Sequence, residues 1–337
     1  MPVYFLIKPF LFLITTIAIM SMAYGQPYLD RLPSEQLNAT APSTRVEGVP
    51  GALHAIDSSC RRLSTSGARR RIVNIAIQEW GFFGFNVLDQ TTEHESSLRG
   101  FQNNQGSRLS PSESARLADS IAGYWSITPD GDWILRRQNI VWNGPNGIAA
   151  RWRDPWSAAF VSWVMCEGGF GDLNQFHRAI AHHVYIDQAI GARVTDSDSV
   201  YVAHDVGELP IEPGDLLCSA RRAAYRSIAD RAEHIGDGIR SHCDIVIKID
   251  KSNERVLVIG GNVRGSVRLK LLAATFNQEQ QSGVQVRSVG LGSRTIFAHL
   301  KLRAEPIAED ALEGSPTIRA LSNSEKYSFL SQDRLLF

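Results

Sequence analysis

The apolar spacing of this chain changes period at Pro213-Gly214-Asp215, and that change limits the folds open to it. Before it, the intervals are helical. Ile72, Ile75, Ala76, Trp80 and Phe83 share one face, and Gly81 and Gly84 close the segment. A second helix is expected from Ser112, with Ala115, Leu117, Ala118, Ile121, Ala122 and Trp125 on or near its inner face. Asp154-Pro155-Trp156-Ser157 opens a third, with Asp154 as its cap and Pro155 in its first turn. Residues 158–165 are apolar almost all round, which predicts a buried helix. A fourth is expected over residues 173–190, and residues 126–150 read as turns around a short strand at Trp133-Ile134-Leu135. After residue 213 the pattern alternates, giving strands at 216–218, 243–249, 255–262 and within 263–272 and 294–302. Helices first and antiparallel strands later specify an α+β fold, not a doubly wound one.

Residues 1–25 read as a secretory signal: Lys8, an apolar run from Pro9 to Ala23, then Ala23-Tyr24-Gly25 as a small-x-small cleavage site. An uncleaved anchor is the alternative, although the run is short for a membrane span. Either reading exports the remainder, to the periplasm or beyond. Residues 26–69 are rich in Pro, Ser, Thr and Arg and read as a linker or loose arm; 70–305 form the domain, and 306–337 a polar tail. Arg61, Arg62, Arg69, Arg70 and Arg71 make a basic cluster, readable as a solvated helix start or as a contact for an anionic envelope surface. Overall, 35 Lys+Arg balance 35 Asp+Glu, which argues against a general nucleic-acid binder. A P-loop and a dinucleotide fingerprint are both missing, so no nucleotide is expected.

Three polar residues stand where hydrolytic chemistry would need them: Ser157 in the first turn of a buried helix, His242 opening a strand, and Asn262 ending the next strand behind Gly260-Gly261. A hydroxyl attacks only when a base takes its proton, a neutral imidazole is the usual base near pH 7, and a further polar group sets its tautomer. Helix N-terminal N–H groups can hold the developing oxyanion. Each residue also has a plain reading, as a helix-start serine, a structural histidine and a turn asparagine. Asp244, two residues along the strand from His242, shares its face and is a rival orienting group. His182 or His183, with Tyr185, lines a substrate groove beside Trp156 or packs against the third helix. His183 and Asp187 have the i,i+4 spacing of a ligand pair, but a third ligand is not evident, so neither a metal nor another cofactor is expected. Four cysteines, Cys60, Cys166, Cys218 and Cys243, allow two disulfides in an exported chain; Cys166, inside the buried helix, reads as an inert core residue.

The stretch Pro155-Trp156-Ser157-Ala158-Ala159-Phe160-Val161-Ser162-Trp163-Val164 resembles the nucleophile helix of CHAP and NlpC-type papain-like hydrolases. Pro213-Gly214-Asp215-Leu216-Leu217 is similar to their first core strand, Ser241-His242-Cys243-Asp244-Ile245-Val246 to their histidine strand, and Val258-Ile259-Gly260-Gly261-Asn262-Val263 to the strand after it. In order, and in having serine in the helix motif, the chain most resembles the bacterial domain of unknown function 2272, over about residues 70–303. The resemblance implies a papain-like fold, cleavage of amide bonds in cell-wall peptides or another envelope substrate, and Ser157, His242 and Asn262 in the three catalytic positions. It also makes neighbours of the strands carrying Cys218 and Cys243, hence a disulfide between them; a free thiol at either would be a rival nucleophile. Serine stands where that superfamily has cysteine. A hydroxyl is not poised as an anion, so His242 must act as a true base. Otherwise the scaffold is a non-catalytic module that binds wall peptides or a protein partner.

Overall fold

A computed structural model describes residues 29–91, 111–220, 225–276, 284–287 and 295–322, so the expected signal segment lies outside the described residues. The first half supplies α1 (Ala68–Phe82), β1 (Val87–Gln90), α2 (Pro111–Ser126), α3 (Gly131–Trp142), α4 (Ser157–Glu167) and α5 (His182–Val194). The second half supplies β2 (Tyr201–His204), β3 (Leu216–Ala220), α6 (Ile228–Ala232), β4 (Ser241–Asp250), β5 (Arg255–Val263), β6 (Ser266–Phe276), β7 (Val284–Arg287), β8 (Ile296–Leu302) and α7 (Pro316–Ser322). Among the described residues, the main sheet has eight strands in the order β1-β6-β5-β4-β3-β8-β2, with β7 beside β6. Neighbours are antiparallel except for β1, which runs parallel to β6. The architecture is α+β, as the change of period specifies.

Helix α4 is the centre of the packing. All of its residues are buried, and it lies against β4 and β5 on one side and α1 and α2 on another. A helix that is apolar all round is stable only when surrounded in this way. The strands β3, β4 and β5 present Leu216, Cys218, Ile245, Ile247, Leu257 and Ile259 to the same core. Among the described residues, no helix is long and apolar enough to cross a membrane.

Several sequence expectations need correction. Trp133-Ile134-Leu135 belongs to helix α3, whose buried residues include Ile134, Leu135, Gln138 and Trp142. The polar run Arg136-Arg137-Gln138-Asn139, followed by the exposed Ile140, hides that helical face. The fourth helix starts at His182, because residues 172–181 are spent on turns. The arm before α1 is packed, not loose. Leu37, Ala39, Val46 and Leu53 are buried, and Arg45 pairs at 2.5 Å with the buried Glu167 of α4. Cys166 is not an inert thiol: it forms a disulfide with Cys60, tying that arm to α4. These links are ionic and covalent, and neither leaves a periodic trace. Within the described part of the tail, α7 buries Thr317 and Leu321.

The residue that ends the period change, Asp215, is a structural hub. It is fully buried, as are Arg69 and His299. Its carboxylate accepts from Arg69 Nη1 at 2.6 Å and from the Leu302 N–H on one oxygen, and from His299 Nε2 at 2.8 Å and the Glu212 N–H on the other. Burial alone would raise its pKa. The His299 hydrogen bond and the charges of His299, Arg69 and Lys301 outweigh that and bring it down to about 2. Arg69, part of the basic cluster, is therefore an interior tie between α1, β3 and β8.

Candidate active site

Ser157 is the first residue of α4, and the preceding Trp156 gives the helix no side-chain cap. Asp154, expected as that cap, lies 3.5 Å from Arg137 in an ion pair. The N–H groups of the first turn therefore lack a side-chain acceptor from the capping residue. Ser157 Oγ lies 2.7 Å from Nε2 of His182, the first residue of α5. The other nitrogen of that ring, Nδ1, accepts from the Cys243 N–H at 3.2 Å and contacts the Tyr185 hydroxyl. Burial, then the charge of Asp244 and the neighbouring Tyr201, pushes the Tyr185 phenol well above its usual pKa, so it keeps its proton.

A second imidazole stands beside this one. The rings of His182 and His242 are 5.2 Å apart, centre to centre, at 63°. His242 Nε2 lies 2.9 Å from Oδ1 of Asp244, and Lys270 donates to Oδ2 of the same carboxylate. Burial would raise the Asp244 pKa, but the charges of Lys270 and His242 and their hydrogen bonds hold it far below the usual carboxylate range. An ionised carboxylate only accepts, so whenever the His242 ring is neutral its proton is on Nε2 and its lone pair on Nδ1. The pair belongs to β4 and the lysine to β6, with β5 between them. Gly260 of β5 makes this possible. A Cβ there would come within 2.1 Å of Asp244 Oδ1 and 2.9 Å of His242 Nε2. The next residue, Gly261, turns to α4, where a Cβ would meet Phe160 at 2.6 Å.

The structure thus brings together Ser157, His182, Tyr185, His242 and Asp244. Asp244 is the group hydrogen-bonded to His242 Nε2. Asn262 lies half-buried at the end of β5 with φ +55°, where the pairing with β6 shifts register. Trp156, placed in the groove by sequence, is 2% exposed and packs against Phe83 and Tyr124. His183 is half-buried, and burial lowers its pKa. Asp187, its i,i+4 neighbour, accepts instead from Arg231 at 2.6 and 2.7 Å. Among the described residues, no group of three His, Cys, Asp or Glu is arranged for a metal ion. Cys218 and Cys243 face each other across β3 and β4 and form a disulfide, so neither offers a thiol.

The sequence placed His182 or His183 in the groove or against α4, but not which of them touches the serine. His182 and Ser157 are 25 apart in the chain, and the only local signal was Tyr185, three positions on and so on the same helical face. The resulting site holds a hydroxyl, two imidazoles, one anchored carboxylate and an uncapped helix start. Ser157 and His242 are each 8% exposed, so the site opens narrowly to solvent.

No curated protein matches the chain, and no solved structure does. A family model does match, over residues 112–286, which is just over half of the chain and includes Ser157, His182, His242 and Asp244. The chain belongs to the family described as an uncharacterized protein conserved in bacteria, DUF2272.

Proposed function

We propose that this protein is an exported papain-like hydrolase that cleaves peptide or amide bonds, with bacterial cell-wall peptides as the substrate class and Ser157 in the place of the usual cysteine. The observation that carries the reading is Ser157 Oγ at the start of a buried helix, 2.7 Å from one imidazole that is itself 5.2 Å, ring to ring, from a carboxylate-anchored second. Two disulfides fit an oxidising compartment.

In this reading His242 is the base and Asp244, rather than Asn262, orients it. Ser157 Oγ attacks the carbonyl carbon while its proton passes to His242 Nδ1. The oxyanion is held by first-turn N–H groups of α4. The C–N bond then breaks, and the leaving amine takes the proton from His242. Water attacks the acyl ester, gives its proton to His242, and the proton returns to Ser157 as the acid departs. Asp244 stays ionised throughout and stabilises the imidazolium.

The test is muropeptide release from purified peptidoglycan, read by mass spectrometry, with Ser157→Ala beside the wild type. New fragments from the wild type alone are expected. Equal release by both would remove Ser157 as nucleophile. No release by either would favour a binding module that uses the same groove.

A further inference from the structure

Resting on Ser157 as the nucleophile, the geometry points to His182 as a second catalytic imidazole that stays neutral and donates its Nε2–H to Ser157 Oγ. The far side of the ring fixes its tautomer. A backbone N–H can only donate, and the Cys243 N–H is aimed at Nδ1 of His182 at 3.2 Å. The Tyr185 hydroxyl, which burial keeps protonated, contacts the same nitrogen. Nδ1 must therefore be bare, and the single proton of the neutral ring sits on Nε2. Nε2 is the atom 2.7 Å from Ser157 Oγ. His182 is thus the donor in that contact and Ser157 the acceptor.

This tautomer makes His182 a poor general base. Accepting the serine proton at Nε2 would require moving the existing proton to Nδ1, against an amide N–H, at the cost of buried hydrogen bonds. His242 is arranged the other way: its Nε2–H is given to Asp244 and its lone pair lies on Nδ1. His182 thus offers Ser157 a donor, while the lone pair of neutral His242, 5.2 Å away ring to ring, is on the nitrogen turned from Asp244. By accepting from His182, Ser157 Oγ is left to direct its own proton elsewhere. As that proton departs to His242, the Nε2–H of His182 remains on the atom that gains charge. A serine lacks the ready ionisation of a thiol, and a fixed donor on Oγ supplies part of what is missing. The disulfide-bonded Cys243 contributes through its amide, which sets the His182 tautomer.

The experiment measures the rate at which a fluorophosphonate labels the intact, oxidised protein, with the adduct located by peptide mass spectrometry. His182→Gln keeps an N–H donor near the position of Nε2 and should label within about fivefold of the wild type, whereas His182→Leu should be slower by about 100-fold, the usual effect of losing one donor to developing charge. His242→Gln should lose labelling by about 1,000-fold or more. If His182→Gln falls as far as His242→Gln, His182 is the base and the inference is overturned. If His182→Leu labels like the wild type, the contact has no catalytic role. A wild type not labelled at Ser157 overturns the nucleophile assignment, and the inference with it. Imidazole 15N spectra give a readout independent of reactivity and of the leucine variant's folding: at neutral pH His182 should carry its proton on Nε2, and a proton on Nδ1 would contradict the assignment.

Discussion

His242, Asp244 and Lys270 form one buried cluster, and His299, Asp215, Arg69 and Lys301 form another with the same chemistry. In both, an aspartate binds a histidine Nε2 on one oxygen and a cation nearby, and its pKa is driven down. Their surroundings differ. His299 and Asp215 are fully buried, and the spare capacity of Asp215 is taken by backbone N–H groups of Glu212 and Leu302. His242 is 8% exposed and neighbours a histidine that holds a serine. A histidine–aspartate pair therefore does not by itself mark an active site. In the proposed function, access and an adjacent hydroxyl set the His242 pair apart.

Substitutions in the two clusters should have opposite signatures. The largest effect is expected from Asp244→Asn, which removes the acceptor that fixes the His242 tautomer; muropeptide release should fall by about 10^4-fold. Asp215→Ala should act on stability instead. It strands Arg69 and His299 without their shared anion, and urea unfolding should show a loss of about 3–5 kcal/mol. Gly260→Ala would push a Cβ into Asp244 and His242, and a displacement of that kind should slow release by about 100-fold. The smallest effect is acid-dependent. The folded pKa of Asp215, about 2, lies below its ordinary value of 3.8. Its contribution is therefore complete above pH 4 and is lost as pH falls toward 2, a change of roughly 2 kcal/mol. Unfolding curves across that window should show the loss in the wild type, and a flatter response in Asp215→Ala.

The fold class was legible because the change of period at residue 213 is a property of the core faces, and those faces decide the layers. The strands β3, β4 and β5 and the buried body of α4 were read for the same reason, although α4 starts at Ser157, two residues after the expected Pro155. What stayed hidden was held by unlike forces. The arm docks through Arg45–Glu167 and Cys60–Cys166, and α3 has only Ile134, Leu135, Gln138 and Trp142 among its buried residues beyond its first glycine. At the site, local pattern singled out Ser157, His242 and Asp244 only weakly, and the family resemblance gave the first two their weight. Lys270 left no local sign, since it reaches Asp244 across a glycine in an intervening strand, and His182, expected in the groove or against α4, gave no sign that it would touch Ser157 itself. Arg69 shows the converse, since a run of arginines suggests surface while this one lies at the centre of the Asp215 hub.

In the proposed function one histidine–aspartate pair does chemistry and the other holds the fold. Parallel measurement of peptidoglycan cleavage and thermal unfolding for His242→Gln and His299→Gln tests it most directly. His242→Gln should unfold within a few degrees of the wild type and release no fragments, whereas His299→Gln should melt well below it and, while folded, still cleave. A folded His242→Gln protein that cleaves at the wild-type rate would contradict it.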